Sequence, residues 1–221
     1  FEGILGLAFP SMSAHGVQPF FDTVMQQNVL NGHNEISFFM TKTPHTGSAV
    51  FFGGVDDRFF EGEINYFPVN QQHYWSCDLL DFKIGDTSHT DFLEFKNEGP
   101  RVSKLILDSG TTYFTAPPGL FSKIMDMLPG ANCADTKDYP DLHYIMKDVD
   151  GKVHDVSIPP TVYMVSSYGD GWCDLSFMEI PVPDEYGPAF IFGEVFMREW
   201  YTVFNRRSGT PGSAMVGRSE E

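Results

Sequence analysis

Turn-forming residues punctuate this chain every ten or so positions, and no other feature constrains its fold as much. The 221 residues include 21 Gly and 15 Pro, which cut most apolar runs too short for a long helix. Between the breaks lie short segments with the character of β-strands. Ser48 to Phe52 is stopped by Gly53-Gly54, and Glu63 to Val69 alternates apolar and polar residues after Gly62. Tyr74 to Ile84 continues in the same style and closes at Gly85-Asp86. Lys104 to Leu107 is almost wholly apolar, the mark of a strand buried on both faces. Helical spacing is confined to three places. Pro19 to Leu30 starts with Pro and pairs Phe20 with Val24 and Phe21 with Met25 before Asn31-Gly32. Gly119 to Leu128 puts Leu120, Ile124 and Leu128 on one stripe, and Glu194 to Tyr201 is a shorter third. The expected fold is mostly β with helices on its surface. A polar break at Asn70-Gln71-Gln72 suggests two parts, residues 1–71 and 72–221.

Charge narrows the function. Thirty Asp and Glu against 14 Lys and Arg leave a formal net charge of -16, a field that repels phosphate backbones. Nucleic acid is therefore not an expected partner, and the same composition suits a protein kept soluble in acid. No apolar run approaches the roughly 18 residues of a membrane span. Phe1 to Phe9 is dense apolar sequence without a Met start or a charged leader, so a processed or truncated chain is expected.

The seven histidines stand singly in polar sequence and read as surface or loop residues. No P-loop, dinucleotide-binding glycine motif, H-E-x-x-H or G-x-S-x-G occurs, so no metal or organic cofactor is expected. Cys77, Cys133 and Cys173 lack C-x-x-C spacing. An odd count allows one bridge with one free thiol, or three buried thiols.

One segment could carry chemistry, Leu105-Ile106-Leu107-Asp108-Ser109-Gly110-Thr111-Thr112. A buried strand delivers Asp108 to a tight turn at Gly110, with the hydroxyls of Ser109, Thr111 and Thr112 beside it. Apolar neighbours desolvate a carboxyl and raise its pKa, and hydroxyls hold it in one orientation. That combination makes a fixed, tunable general acid/base. Taken alone, Asp-Ser-Gly is also an ordinary turn after a strand.

In its wider setting the segment resembles the signature of the pepsin-like aspartic proteases. There an apolar run precedes Asp-Thr/Ser-Gly-Thr, and a later apolar-apolar-Gly triplet returns beside the turn, as Phe190-Ile191-Phe192-Gly193 would here. Phe1-Glu2-Gly3-Ile4-Leu5-Gly6-Leu7-Ala8-Phe9-Pro10 is similar to the family's segment late in the first lobe. Val50-Phe51-Phe52-Gly53-Gly54-Val55-Asp56 is similar to the strand before the lobe crossover. Tyr74-Trp75 resembles the aromatic pair opening the second lobe, and Phe196 to Phe204 the helix and strand near the end. The resemblance implies a bilobal acid protease fold, with the end of the first lobe and the whole second lobe in this chain.

It also implies roles for individual residues. Asp108 would be the catalytic aspartate of the second lobe, supported by Ser109, Gly110 and Thr111. Phe1 and Ile4 would line one apolar substrate pocket and Ile106 and Ile191 its neighbour across the scissile bond, with Tyr74 and Thr112 at adjoining subsites. Cys133 and Cys173 would be bridged and Cys77 free. The implied activity is endopeptidase cleavage of peptides with apolar residues around the scissile bond. The alternative is an inactive homologue that binds or inhibits. The absence of a small disulfide before the catalytic strand resembles the plasmepsin-like enzymes of apicomplexan parasites. A zymogen of the secretory pathway is implied, working in an acidic vacuole, a secretory organelle or outside the cell.

The family mechanism needs two aspartates sharing a proton, and Asp108-Ser109-Gly110 is the one Asp-Ser/Thr-Gly present. The expected partner is an N-terminal segment or light chain carrying the other. Without it, Ile4, Leu5, Leu7 and Phe9 are expected to present an apolar face to water.

Overall fold

A computed structural model describes residues 3–42, 46–89, 102–166, 169–207 and 215–220, the last stretch and Asp184 by backbone alone. Its strands, in chain order, are β1 (Glu35–Phe39), β2 (Ala49–Phe52), β3 (Glu61–Pro68), β4 (Ser76–Ile84), β5 (Thr87–Ser88), β6 (Lys104–Leu107), β7 (Phe114–Ala116) and β8 (Ala131–Asn132). Then follow β9 (Leu142–Lys147), β10 (Val153–Ile158), β11 (Met164–Val165), β12 (Trp172–Leu175), β13 (Phe177–Glu179), β14 (Ala189–Phe192), β15 (Trp200–Asn205) and β16 (Met215–Glu220). Helices are short: α1 (Phe20–Gln26), α2 (Leu120–Met127), α3 (Pro160–Tyr163) and α4 (Glu194–Met197). The mostly β expectation holds.

Two helices end earlier than their sequence suggests. After Gln26 the chain winds into turns with Asn28 and Asn31 at positive φ, which stops α1 short of Leu30. Trp200 and Tyr201, expected at the end of the last helix, instead open β15. The aromatic and β-branched run Trp200 to Phe204 suits a strand better than a helix, and both its edges find partners.

The chain forms two compact units. The first comprises residues 1–77 and 200–221. Its five-stranded sheet has the order β2-β1-β15-β16-β3, with Ile36 opposite Phe204 and Ser37 opposite Val203. The C-terminal residues therefore belong with the first unit, and Asn70-Gln71-Gln72 is a bend inside it. On one sheet face Phe38 and Trp75 meet Phe204 edge-on. On the other, Phe39 and Phe51 gather around Phe59, and the Tyr201 hydroxyl donates to Ser37 Oγ at 2.7 Å.

The N-terminal segment of this unit separates into two parts. Residues 3–9 form no strand. Ile4 is 85% exposed and Leu5 is also exposed, but Phe9 is 1% exposed. The expected apolar face is thus half as large as its sequence suggests. The Phe9 ring packs on Trp75 and lies under the Arg206 guanidinium, which is paired with Asp22 at 2.8 Å. The Leu7 carbonyl accepts from Trp75 Nε1. A ring and a backbone carbonyl each find partners within this chain, whereas Ile4 and Leu5 stay exposed among the described residues.

The second unit, residues 78–199, contains the larger sheet, ordered β10-β9-β4-β6-β14-β7-β13 with β5 paired to β4. Strand β14 runs parallel to β6 and lies between β6 and β7, which are neighbours in sequence. Phe82, Tyr144, Phe190 and Phe192 form an aromatic cluster behind it. As expected, α2 buries Leu120 and Ile124 on one stripe. A three-stranded sheet, β11-β12-β8, is tied by a Cys133–Cys173 disulfide, and Cys77 stands outside that bridge as a buried thiol that donates to the Phe67 carbonyl at 3.8 Å.

Candidate active site

The turn carrying Asp108 is built by the strands beneath it. Leu105, Ile106 and Leu107 are all buried, held on one side by the parallel ladder to Phe190, Ile191 and Phe192. The Asp108 amide donates to the Phe192 carbonyl at 3.0 Å, and the Thr111 amide donates to the Asp108 carbonyl at 3.2 Å. The side chain is then held by its own turn. The Gly110 amide donates to Asp108 Oδ1 at 2.9 Å, and the Thr111 hydroxyl donates to Oδ2 at 2.7 Å. Each carboxylate oxygen therefore has one fixed donor and keeps a lone pair for another group.

The far side of the turn is clamped by α4. The amides of Glu194 and Val195 donate to the carbonyls of Thr111 and Thr112 at 2.7 and 3.1 Å. Arg198 Nε donates to Glu194 Oε1 at 3.0 Å. Gly193 makes the approach possible. A Cβ there would press into the carbonyl oxygens of Thr111 and Tyr113. Neither the clamp nor its ion pair was foreseen from sequence, although Glu and Arg four residues apart at a strand-to-helix junction are a visible signal.

Desolvation does not extend past Leu107. Asp108 is half-buried, and Ser109, Gly110 and Thr112 are exposed. Ile106 and Ile191 are register partners and so share one sheet face, with Thr115 of β7 opposite Ile191 on its other side. The structure thus brings together Asp108, Gly110, Thr111, Ile106 and Ile191. Ile4 and the half-buried Tyr74 belong to the first unit, and Phe1 lies outside the described residues. Among the described residues no group of three or more His, Cys, Asp or Glu could hold a metal ion. Among the described residues no helix is long and apolar enough to cross a membrane.

Two histidines are not the surface residues their polar surroundings suggest. His89 is buried. His154 Nε2 lies 2.6 Å from Asp148 Oδ2, with both side chains largely buried. The signal was available, because alternation through β10 puts His154 on the same face as Val156 and Ile158.

Residues 1–216 match the family model for eukaryotic aspartyl proteases. The chain is 41% identical over 223 residues to "Aspartic protease 3" of Toxoplasma gondii, covering 98% of this chain and 32% of that protein. It is 31% identical to "Cathepsin E" of Mus musculus and 33% identical to "Cathepsin D" of Clupea harengus. Each of these alignments covers 97% of this chain, with 53% and 54% of the relative. The chain thus spans about half the length, or less, of these relatives.

Proposed function

The chain belongs to the eukaryotic aspartyl protease family, and from that premise we propose that it supplies one half of the active site of an aspartic endopeptidase. The observation that carries this reading is the Asp108 carboxylate, held by one donor on each oxygen at the end of a buried strand. The second aspartate comes from a segment upstream of Phe1 or from a separate light chain. Of the two carboxyls, one is ionised and removes a proton from a bound water as that water attacks the scissile carbonyl. The other, protonated, donates to the carbonyl oxygen. Proton transfer to the leaving nitrogen then releases an amine and a carboxylic acid, and the dyad is left with its single shared proton.

Ser109, Gly110 and Thr111 orient the carboxyl. Ile106, Ile191, Ile4, Tyr74, Thr112 and Phe1 favour apolar residues on both sides of the cleaved bond. The Cys133–Cys173 bridge supports passage through an oxidising secretory compartment, with work in an acidic vacuole, a secretory organelle or outside the cell.

The test is Asp108→Asn in the full-length protein, assayed against extended peptides with paired apolar residues. Asn keeps the shape and cannot cycle a proton, so turnover should fall by at least about a thousandfold with the fold intact. Near-normal turnover would overturn the assignment. No turnover by the wild-type protein, together with an upstream segment lacking Asp-Thr/Ser-Gly, would instead favour the inactive binding homologue.

A further inference from the structure

The hairpin formed by β9 and β10 lies at the edge of the larger sheet and carries two histidine–aspartate pairs unrelated to the Asp108 turn. His154 Nε2 is 2.6 Å from Asp148 Oδ2, with the side chains 12% and 9% exposed. His143 Nδ1 is 2.9 Å from Asp155 Oδ1, in a more exposed setting. Asp148 also builds the hairpin's turn. Its Oδ1 accepts from the amides of Asp150 and Lys152 at 3.0 and 2.8 Å. One carboxylate therefore holds the turn backbone with one oxygen and reaches His154 on β10 with the other.

We propose that this hairpin is a pH-set latch, in which protonation of His154 tightens its bond to Asp148 and locks the β9–β10 edge, while deprotonation of His154 or protonation of Asp148 loosens it. Histidine is the side chain that ordinarily changes charge between pH 5 and 8. A charge-assisted hydrogen bond is about twice as strong as a neutral one, and partial burial limits screening by salt.

The surroundings favour such a switch. On the face that His154 shares, its row continues through Met146 to Leu79, which carry no charge. The next row is Val156, Tyr144 and Phe82, and burial pushes the Tyr144 phenol well above its usual range. It stays neutral throughout. The opposite face carries Asp81, Lys83, His143, Lys147 and Asp155, and Asp141 accepts from Ser157. The turn adds Asp150 and Lys152. Around the hairpin stand five aspartates, including Asp148, and three lysines.

The acid limit follows from Asp148. The His154 hydrogen bond, helped by the two turn amides, holds its carboxyl below the usual carboxylate range. Its contribution is therefore complete above that range and is lost as the pH falls through the lowered value.

The test does not depend on peptidase activity. Hydrogen-exchange protection factors for residues 142–158 are measured in the full chain at pH 3, 5.5 and 8, in wild type and in His154→Gln. Gln retains a donor without a titrating charge. Wild-type protection should fall about five-fold from pH 5.5 to 8, and the variant should lose that dependence while residues 104–107 keep theirs. His143→Gln, which alters the more exposed pair, should leave most of the fall in place. A flat wild-type profile, an unchanged profile in His154→Gln, or a profile abolished by His143→Gln alone would each overturn the proposal.

Discussion

The two units solve the same problem of burying a β-rich core in different ways. The second ties its peripheral sheet with a disulfide, threads a strand through its main sheet and closes its edge hairpin with histidine–aspartate pairs. The first has aromatic residues on both faces of a five-stranded sheet, yet it leaves Ile4 and Leu5 open to water. Apolar sequence therefore does not by itself tell whether a residue is buried within its own chain. What decides is whether a geometrically suitable partner exists there, as Trp75 and Arg206 do for Phe9.

That contrast can be broken most forcefully at Phe9. Phe9→Ala removes a fully buried ring together with its contact under Arg206, and should cost about 5 kcal/mol. Denaturant unfolding of the first unit measures this, and a loss under about 1 kcal/mol would show that the ring is not part of its core. Next comes the disulfide of the second unit. Replacing Cys133 and Cys173 by Ser should cost about 3–4 kcal/mol in the chain-entropy picture for a sequence separation of 40. Thermal unfolding should then show the second unit melting earlier and the first unchanged.

Ile4→Ser sharpens the comparison by doing little. Because its side chain is exposed among the described residues, its effect on stability should stay within about 0.5 kcal/mol. In the full-length protein a loss several times larger would follow from the proposed upstream partner. The smallest effect is expected at Asp56. Its carboxyl is lowered to about 2 by hydrogen bonds from exposed Arg58, so it stays charged until the pH falls through that value. Arg58→Gln should return its NMR titration midpoint toward about 4 without a measurable change in melting temperature.

The sequence was most legible where local chemistry and long-range packing agree. Lys104 to Leu107 forms the expected strand to the residue, and α2 keeps its expected stripe, because each pattern is satisfied by almost any core laid against it. It was least legible where a distant partner decides. Nothing near Trp200 and Tyr201 shows that β1 and β16 will claim them as a strand, and a short apolar run after a helical turn reads as more helix. The site divides in the same way. Asp108 and Thr111 are bonded within one turn and were visible as a motif. The Glu194 and Val195 clamp joins segments far apart in the chain, and polar spacing around His154 hid a residue whose partner lies across a turn.

The order β6-β14-β7 has a consequence for how the molecule comes into being. Strands β6 and β7 are joined by the Asp108 turn, yet the strand that separates them arrives roughly 80 residues later. During synthesis the turn can form locally, but its amide anchor on Phe192 and the clamp from α4 do not yet exist. A nascent chain ending before Ala189 would hold β6 and β7 with an open slot between them, exposing apolar edges to any extended segment nearby. The Asp108 turn is thus completed late, and its assembly reports that the segment from Ala189 to Met197 has folded against it.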